Sequence, residues 1–330
     1  MLLHTISFII LLLSLLVYFK LADKFNIIDK PNERSSHSYI TIRGGGVIFT
    51  LAAILWYFLY GFNETYIIGA LVAIALISFL DDVMVLSNKI RISIHILAVS
   101  VLFWQIQVFE LPWYVVIITY LFTIGWINAF NFMDGINGIT PFYGLTTLGS
   151  LLWISQTTDF LQIDNGNHLV VLLFISLIIF SFFNARKRAK TFAGDIGSVG
   201  MAFLLAWFII KLILETGRIE YILLVIVYGI DSVITIIYRL KRKENIFQAH
   251  RTHLYQYLSN ELRLPHVLVS TLYAIIQLII NITTIILIDK GIMTIPIFIS
   301  LLILLSAIYL LVRYIVTKRI KQIAQLYAKR

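Results

Sequence analysis

The stretch Tyr114–Thr140, YVVIITYLFTIGWINAFNFMDGINGIT, decides the fold. Its first half, to Ile127, is apolar and uncharged and reads as a membrane helix. Its second half, Asn128–Thr140, carries Asn128, Asn131, Asp134, Asn137 and Thr140 with Gly135 and Gly138, and no lysine or arginine. A carboxylate and several amides at the edge of a span cost free energy unless something pairs with them. A plain polar turn is the modest reading. So many amides among aromatics fit better as a polar site at a membrane surface, built to hold a polar ligand.

Outward from this stretch the rest of the chain is of one kind. Of its 330 residues 60% are hydrophobic and 13% charged, against about 25% charged in soluble domains. Apolar segments recur at 2–19, 44–60, 66–80, 91–109, 113–127, 141–157, 168–183, 198–214, 220–238, 266–288 and 293–315. The expected fold class is therefore all-α, a polytopic membrane protein of about eleven transmembrane helices. One membrane domain over 1–330 is the simplest organisation, with polar loops near 20–43, 81–90, 128–140, 184–198 and 239–265. The first segment lacks a basic leader and a small-residue cleavage site, so an uncleaved span is expected rather than a signal peptide. With no cysteine there is no disulfide framework, thiolate metal site or cysteine nucleophile.

The net charge of +9 fits cytoplasmic loop bias, and no nucleic-acid partner is expected. All but Lys211, Arg218 and Lys290 of the 26 lysines and arginines fall on one side of this span pattern. The positive-inside rule then puts the N-terminus outside and the C-terminus in the cytoplasm. An even number of spans would break the pattern.

Five polar segments share the cytoplasmic side. In the first, Asp29–Gly46, Arg34, His37 and Arg43 can meet anionic groups, and the glycines 44–46 allow close backbone approach, as to a phosphate. The second is Asp81–Asp82 at the end of a span, where adjacent carboxylates repel and negative charge opposes the helix dipole. Bound Mg²⁺ would relieve both, since it takes one or two carboxylates plus substrate oxygens. The third is the opening stretch, with Asp134 its only acid. In the fourth, Asn184–Gly200, four basic residues precede Asp195, set between glycines at the head of a span. The fifth, Arg239–Arg263, holds His250 and His253 in HRTHLYQYL. Their i, i+3 spacing puts both rings on one face if the segment is helical. No third zinc ligand of the usual type lies nearby, so pairing with a diphosphate is the better fit. Asp231, inside an apolar segment, needs a partner, and Arg239 lies two turns along. His4, His95, His168 and His266 are read as structural.

Acids from separate loops, glycine-rich turns, amides and many cations at one membrane face suit a metal-bound diphosphate beside lipid. Taken together, RSSH…RGGG, DDVMVL, NAFNFMDGINGI, FAGDIGS and HRTHLYQ, in this order over about 29–260, resemble the polyprenyl-phosphate N-acetylhexosamine-1-phosphate transferase family, of the glycosyltransferase 4 type. The histidine segment looks like that of the O-antigen and capsule initiating enzymes rather than of phospho-N-acetylmuramoyl-pentapeptide transferase.

The resemblance implies a reaction. A UDP-N-acetyl sugar, GlcNAc-type or a 6-deoxy variant, gives its sugar 1-phosphate to undecaprenyl phosphate, yielding a lipid diphosphosugar and UMP. This is the first membrane step of a cell-surface glycan. It implies Mg²⁺, with Mn²⁺ as an alternative, a multi-pass protein of the bacterial inner membrane with its site facing the cytoplasm, and admits a homodimer. By motif, Asp195 looks like the principal metal ligand and Asp82 like part of the metal and diphosphate environment. Asp81 looks like the acid that positions or deprotonates the lipid phosphate. Asn131 and Asp134 look like donor-site residues. Gly135, Asn137 and Phe192 look placed for uracil, with Asn184 and Lys190 at the nucleotide's border. His250, Arg251, His253, His37 and Arg43 would meet phosphates. The chain departs from the family pattern at Asn137, where Asp is frequent, at Ile40 and Ile42, which replace prolines, at Ala193, where Met is common, and in NARKRAK, which lacks prolines. Rival readings are another Mg²⁺-dependent intramembrane prenyl- or phosphotransferase, for which the acidic motifs are too sparse, and a lipid or solute transporter or flippase. Transport predicts polar groups near the midplane, open to both sides.

Overall fold

The structure is a computed structural model that describes residues 2–29, 39–84, 86–162, 165–246 and 250–328. The long apolar segments form helices because a helix satisfies its backbone internally where no water is available. In order they are α1 (Leu2–Lys24), α2 (Val47–Leu59), α3 (Thr65–Met84), α4 (Asn88–Gln105), α5 (Trp113–Met133), α6 (Ile139–Ile154), α7 (Gly166–Asn184), α8 (Gly194–Thr216) and α9 (Ile226–Lys241). A single turn, α10 (Leu254–Gln256), precedes α11 (His266–Asp289) and α12 (Ile295–Ala328). The described residues hold one minimal sheet, β1 (Ile28–Asp29) antiparallel to β2 (Thr41–Ile42). The chain is thus an all-α polytopic membrane protein. Eight helical segments are long and apolar enough to cross a membrane; α2 and α6 are apolar but shorter, and α4, with Lys89, Arg91 and His95, is not among the eight.

The helices overrun the expected boundaries where the motifs lie. α3 continues to Met84, so Asp81 and Asp82 sit in its last turns rather than in a loop. α5 continues to Met133 and takes Asn128 and Asn131 with it. α8 starts at Gly194 rather than near 198, placing Asp195 in its first turn, where the helix dipole favours an acid.

α8 is the axis of the molecule. Some 89% of its apolar window is buried, against at most half in the other seven candidate spans. It packs on α2, α3 and α5. Around it α6 pairs with α7 and α11, α4 covers α3, and α1 leans on α2 and α7. The outer faces stay apolar, with Ile118, Leu121, Phe182 and Ile303 exposed, as lipid contact requires. Alternating helix direction brings the ends of α3, α5, α7 and α9 to the same end of the bundle as the starts of α4, α6, α8 and α11.

Candidate active site

The site is built around the first turn of α8. Backbone hydrogen bonds run from Phe192 N to Ile42 O (2.8 Å), from Gly45 N to Phe192 O (2.9 Å) and from Gly46 N to Ala193 O (3.1 Å). They lay the 41–46 segment along the lead-in to α8. Gly46 and Gly197 cross backbone to backbone: a Cβ on either would fall on the other's Cα. Gly194 has φ +70°, and a Cβ there would come within 2.9 Å of Gly44 Cα and 2.7 Å of Asp82 Oδ2. The glycine triplet, expected to receive a phosphate, receives another stretch of this chain. What it provides is contact close enough to join loop and helix.

That junction brings Arg43, Asp82 and Asp195 together. Arg43 Nη2 lies 2.6 Å from Asp82 Oδ1 and 3.8 Å from Asp195 Oδ1. Asp82 Oδ2 accepts the backbone N–H of Asp195 (2.8 Å). The Asp82 carboxylate is almost fully buried and that of Asp195 is partly open. Burial works against the Arg43 charge, and Asp82 and Asp195 more than restore it. Apart from this ion pair, Asp82 Oδ1 has no hydrogen-bond partner among the described residues. Among the described residues one cation, Arg43, thus serves both acids. Among the described residues no three His, Cys, Asp or Glu side chains converge as a metal cage. This donor set suits an ion that takes one or two carboxylates and completes its shell with substrate oxygens and water, which is the habit of Mg²⁺.

Asp81 is engaged elsewhere. Arg91 Nη1 is 2.7 Å from its Oδ2, and Leu86 N donates to its Oδ1 (2.7 Å), closing the turn between α3 and α4.

At the end of α5, Asn131 Nδ2 donates to Ser198 Oγ on α8 (2.8 Å), and Asp134 accepts from Thr140. Part of the Asp134 surface reaches solvent, but the group lies deep among protein atoms. Desolvation pushes its carboxyl up to about 6; the Thr140 hydrogen bond opposes the shift and Asp195 adds to it. Gly135 lies under the Tyr255 hydroxyl, which donates to Phe132 O (2.8 Å), and has no room for a Cβ.

Asn137 and Asn184 are buried, and their amides are used within the protein. Asn137 Nδ2 donates to Arg186 O (2.7 Å). Asn184 accepts from Gly138 N (2.7 Å) and donates to Thr191 O (2.9 Å). Both asparagines set loop shape, while Lys190 is exposed and Phe192 half-buried beside them. His37 lies outside the described residues.

The segment 250–253 is not helical, yet its two histidine rings stack 4.9 Å apart. His250 Nδ1 lies 3.0 Å from Thr252 Oγ1. Burial, with His253 and Arg239 nearby, lowers the His250 imidazole to about 4, so the ring is neutral at pH 7. Arg251 is half-buried in the same loop. His253 is buried and pairs with Asp231 (Nδ1 to Oδ1, 3.1 Å). Arg239 is not the partner of Asp231; it pairs with Glu244 (3.1 Å) and donates to the carbonyls of Asn245 and Ile246. Sequence reasoning assigned nothing to Tyr273, Tyr309 or Arg313, which the structure brings to this loop. Their separation of up to 82 residues from Asp231 left no local signal.

Comparison with known proteins adds an independent line. The family model described as "Glycosyl transferase family 4" matches residues 64–213. A probable undecaprenyl-phosphate N-acetylglucosaminyl 1-phosphate transferase of Bacillus subtilis (strain 168) is 26% identical over 281 residues, 76% of this chain and 75% of that protein. An undecaprenyl-phosphate alpha-N-acetylglucosaminyl 1-phosphate transferase of Escherichia coli (strain K12) is 28% identical over 280 residues, 75% and 73% of the two chains. A phospho-N-acetylmuramoyl-pentapeptide-transferase of Streptococcus pneumoniae serotype 19F (strain G54) is 27% identical over 191 residues, covering 49% of this chain and 56% of its own. The matched span holds the DDVMVL, NAFNFMDGINGI and FAGDIGS segments, whose side chains meet around the head of α8, so the site lies within the part of the chain that is similar to glycosyl transferase family 4.

Proposed function

We propose that this protein transfers a sugar 1-phosphate from a UDP-N-acetylhexosamine, GlcNAc-type, to undecaprenyl phosphate, giving the lipid diphosphosugar and UMP. The observation that carries the reading is the meeting of Arg43, Asp82 and Asp195, from three separate segments, at one end of a membrane bundle. The relatives from B. subtilis and E. coli, named for this chemistry, support it. The bundle crosses the bacterial inner membrane about eleven times, with this end in the cytoplasm, where UDP-sugars are made. The product starts a surface glycan of the O-antigen or capsule kind, and the protein works alone or as a homodimer.

A phosphate monoester is largely ionised at pH 7 and needs no base to become a nucleophile. Catalysis is then mostly positioning and charge neutralisation. An oxygen of the lipid phosphate attacks the sugar-bearing phosphorus, and the bond to the UMP phosphate breaks. Asp195 and Asp82 would hold Mg²⁺, which when bound neutralises diphosphate charge. Arg43 offers its guanidinium to the same oxygens. Asn131 and Asp134 border the donor from the α5 side. Asp81, held by Arg91 and Leu86 N, positions the lipid phosphate rather than taking its proton. Phe192 stacks on uracil, with Gly135 and Lys190 at its edge, and the asparagines 137 and 184 fix the loops that hold it.

The test is UMP release by purified protein with undecaprenyl phosphate, Mg²⁺ and a panel of UDP-N-acetyl sugars. Lipid-dependent UMP from UDP-GlcNAc is the expected result. Folded protein that releases none from any donor would overturn the reading.

A further inference from the structure

Asp231 lies in α9, inside the apolar bundle, where an unpaired carboxylate is costly. It is fully buried and surrounded by donors. Its Oδ1 accepts from His253 Nδ1 (3.1 Å), Leu254 N (3.2 Å), Thr235 Oγ1 (3.3 Å) and the Tyr309 hydroxyl (2.9 Å), and its Oδ2 from the Tyr273 hydroxyl (2.6 Å). Arg313 completes the frame. It donates to Thr235 Oγ1 and to the Tyr309 hydroxyl (2.8 Å each) and to Thr252 O (2.9 Å). Three helices and the histidine loop converge on one carboxylate.

The arrangement constrains His253. An ionised carboxylate only accepts, so Nδ1 must carry a proton. Nε2 is buried and has no hydrogen-bond partner among the described residues, a state that costs free energy until something fills it. The ring stands between His250 (4.9 Å) and Tyr255 (5.8 Å) and beside Phe132 (6.4 Å), which belongs to the NAFNFMDG stretch. Around the ring and its carboxylate stand Asp231 from α9, His250 from the loop, Tyr255 from α10, Tyr273 from α11, and Tyr309 and Arg313 from α12, with Arg239 and Glu244 beside His250.

We propose that Asp231 is a positioning residue: it fixes the His253 ring by its Nδ1 proton and supports a positive charge there, so that Nε2–H donates to an anionic oxygen of the bound diphosphate. Asp231 touches no ligand itself. Tyr273, Tyr309 and Arg313 hold it, which gives α11 and α12 a part in the site. The inference rests on the transfer reading for the identity of the anion, but the ring geometry stands on its own.

The test uses the full chain in detergent, with ¹⁵N-labelled histidine and UDP–Mg²⁺ as the probe. The His253 resonance, assigned by its loss in His253→Gln, should show a protonated Nδ1 in free protein. UDP should convert it to the doubly protonated form, and Asp231→Asn should block that conversion. In turnover, Asp231→Asn should cost about tenfold or more, the scale for outer partners that orient a functional histidine. The loss should be greater at pH 8 than at pH 6 and should not multiply with that of His253→Gln. Tyr309→Phe, a milder change less able to disturb folding, should show the same pattern to a smaller degree. A wild-type resonance unmoved by UDP overturns the proposal, as do losses that multiply or that are uniform in pH. Absence of UMP release alongside a clear UDP shift would sink the transfer reading and leave the positioning role standing.

Discussion

Asp134 shows at the scale of one residue how environment sets a charge. Its carboxyl, desolvated in the cleft, is pushed up to about 6, while an unfolded aspartate titrates near 4. Because the folded value is the higher one, its contribution to stability is complete below about pH 4 and is lost as pH rises through about 6. Thr140, which donates to the ionised form, limits that loss. Thr140→Val is therefore expected to raise the Asp134 value and move the acid limb of UMP release to higher pH. An unmoved limb would show that Asp134 does not govern it. Asp195 carries the other residue-scale prediction. Asp195→Asn should abolish metal-dependent turnover while the protein still inserts and purifies normally, and near-normal turnover would remove Asp195 as a metal ligand.

At the scale of elements, the crossing of Gly46 and Gly197 joins the 41–46 loop to α8. A Cβ at Gly46 meets backbone, which cannot swing away as a side chain can. Gly46→Ala should lower the thermal midpoint, with a cost of about 1–3 kcal/mol typical of overpacking, and should depress turnover by parting Arg43 from Asp195. Gly69→Ala, on an open face of α3 with nothing within 4 Å, should leave both unchanged. The helices themselves were legible in the sequence, because apolar runs of this length have few other solutions. Their ends were not. The polar caps of α3, α5 and α8 read as loops by composition, yet continue as helix for a turn or so. The acids Asp82, Asp134 and Asp195 stood out because charge is rare in this chain. The protein partners of Asn137 and Asn184 were not legible, because an amide's partner cannot be read from its type. Their bonds to Arg186 O and Gly138 N join loops 46 to 49 residues apart.

At the scale of the whole molecule, orientation is the open quantity and charge decides it. A reporter fused after Arg330 should read as cytoplasmic; an external signal would invert the topology and place the acids where no UDP-sugar is found. The bundle is also uneven. α8 is enclosed on nearly all sides, whereas α12 shows most of its apolar surface outward and meets the rest chiefly at α9 and the helical turn Tyr257–Glu261 after α10. Its attachment is polar and local, through Tyr309 and Arg313.

That attachment bears on how the protein is made. A chain leaves the ribosome from its N-terminus, so Asp82, Asp134 and Asp195 enter the membrane early and can assemble around α8 while synthesis continues. His253 then still lacks the frame that Tyr309 and Arg313 give Asp231. Tyr309 and Arg313 follow it by more than fifty residues, so the centre is completed only when α12 has been inserted. On the role proposed for Asp231, a nascent or prematurely ended chain would carry all the acids and still lack a firmly held His253.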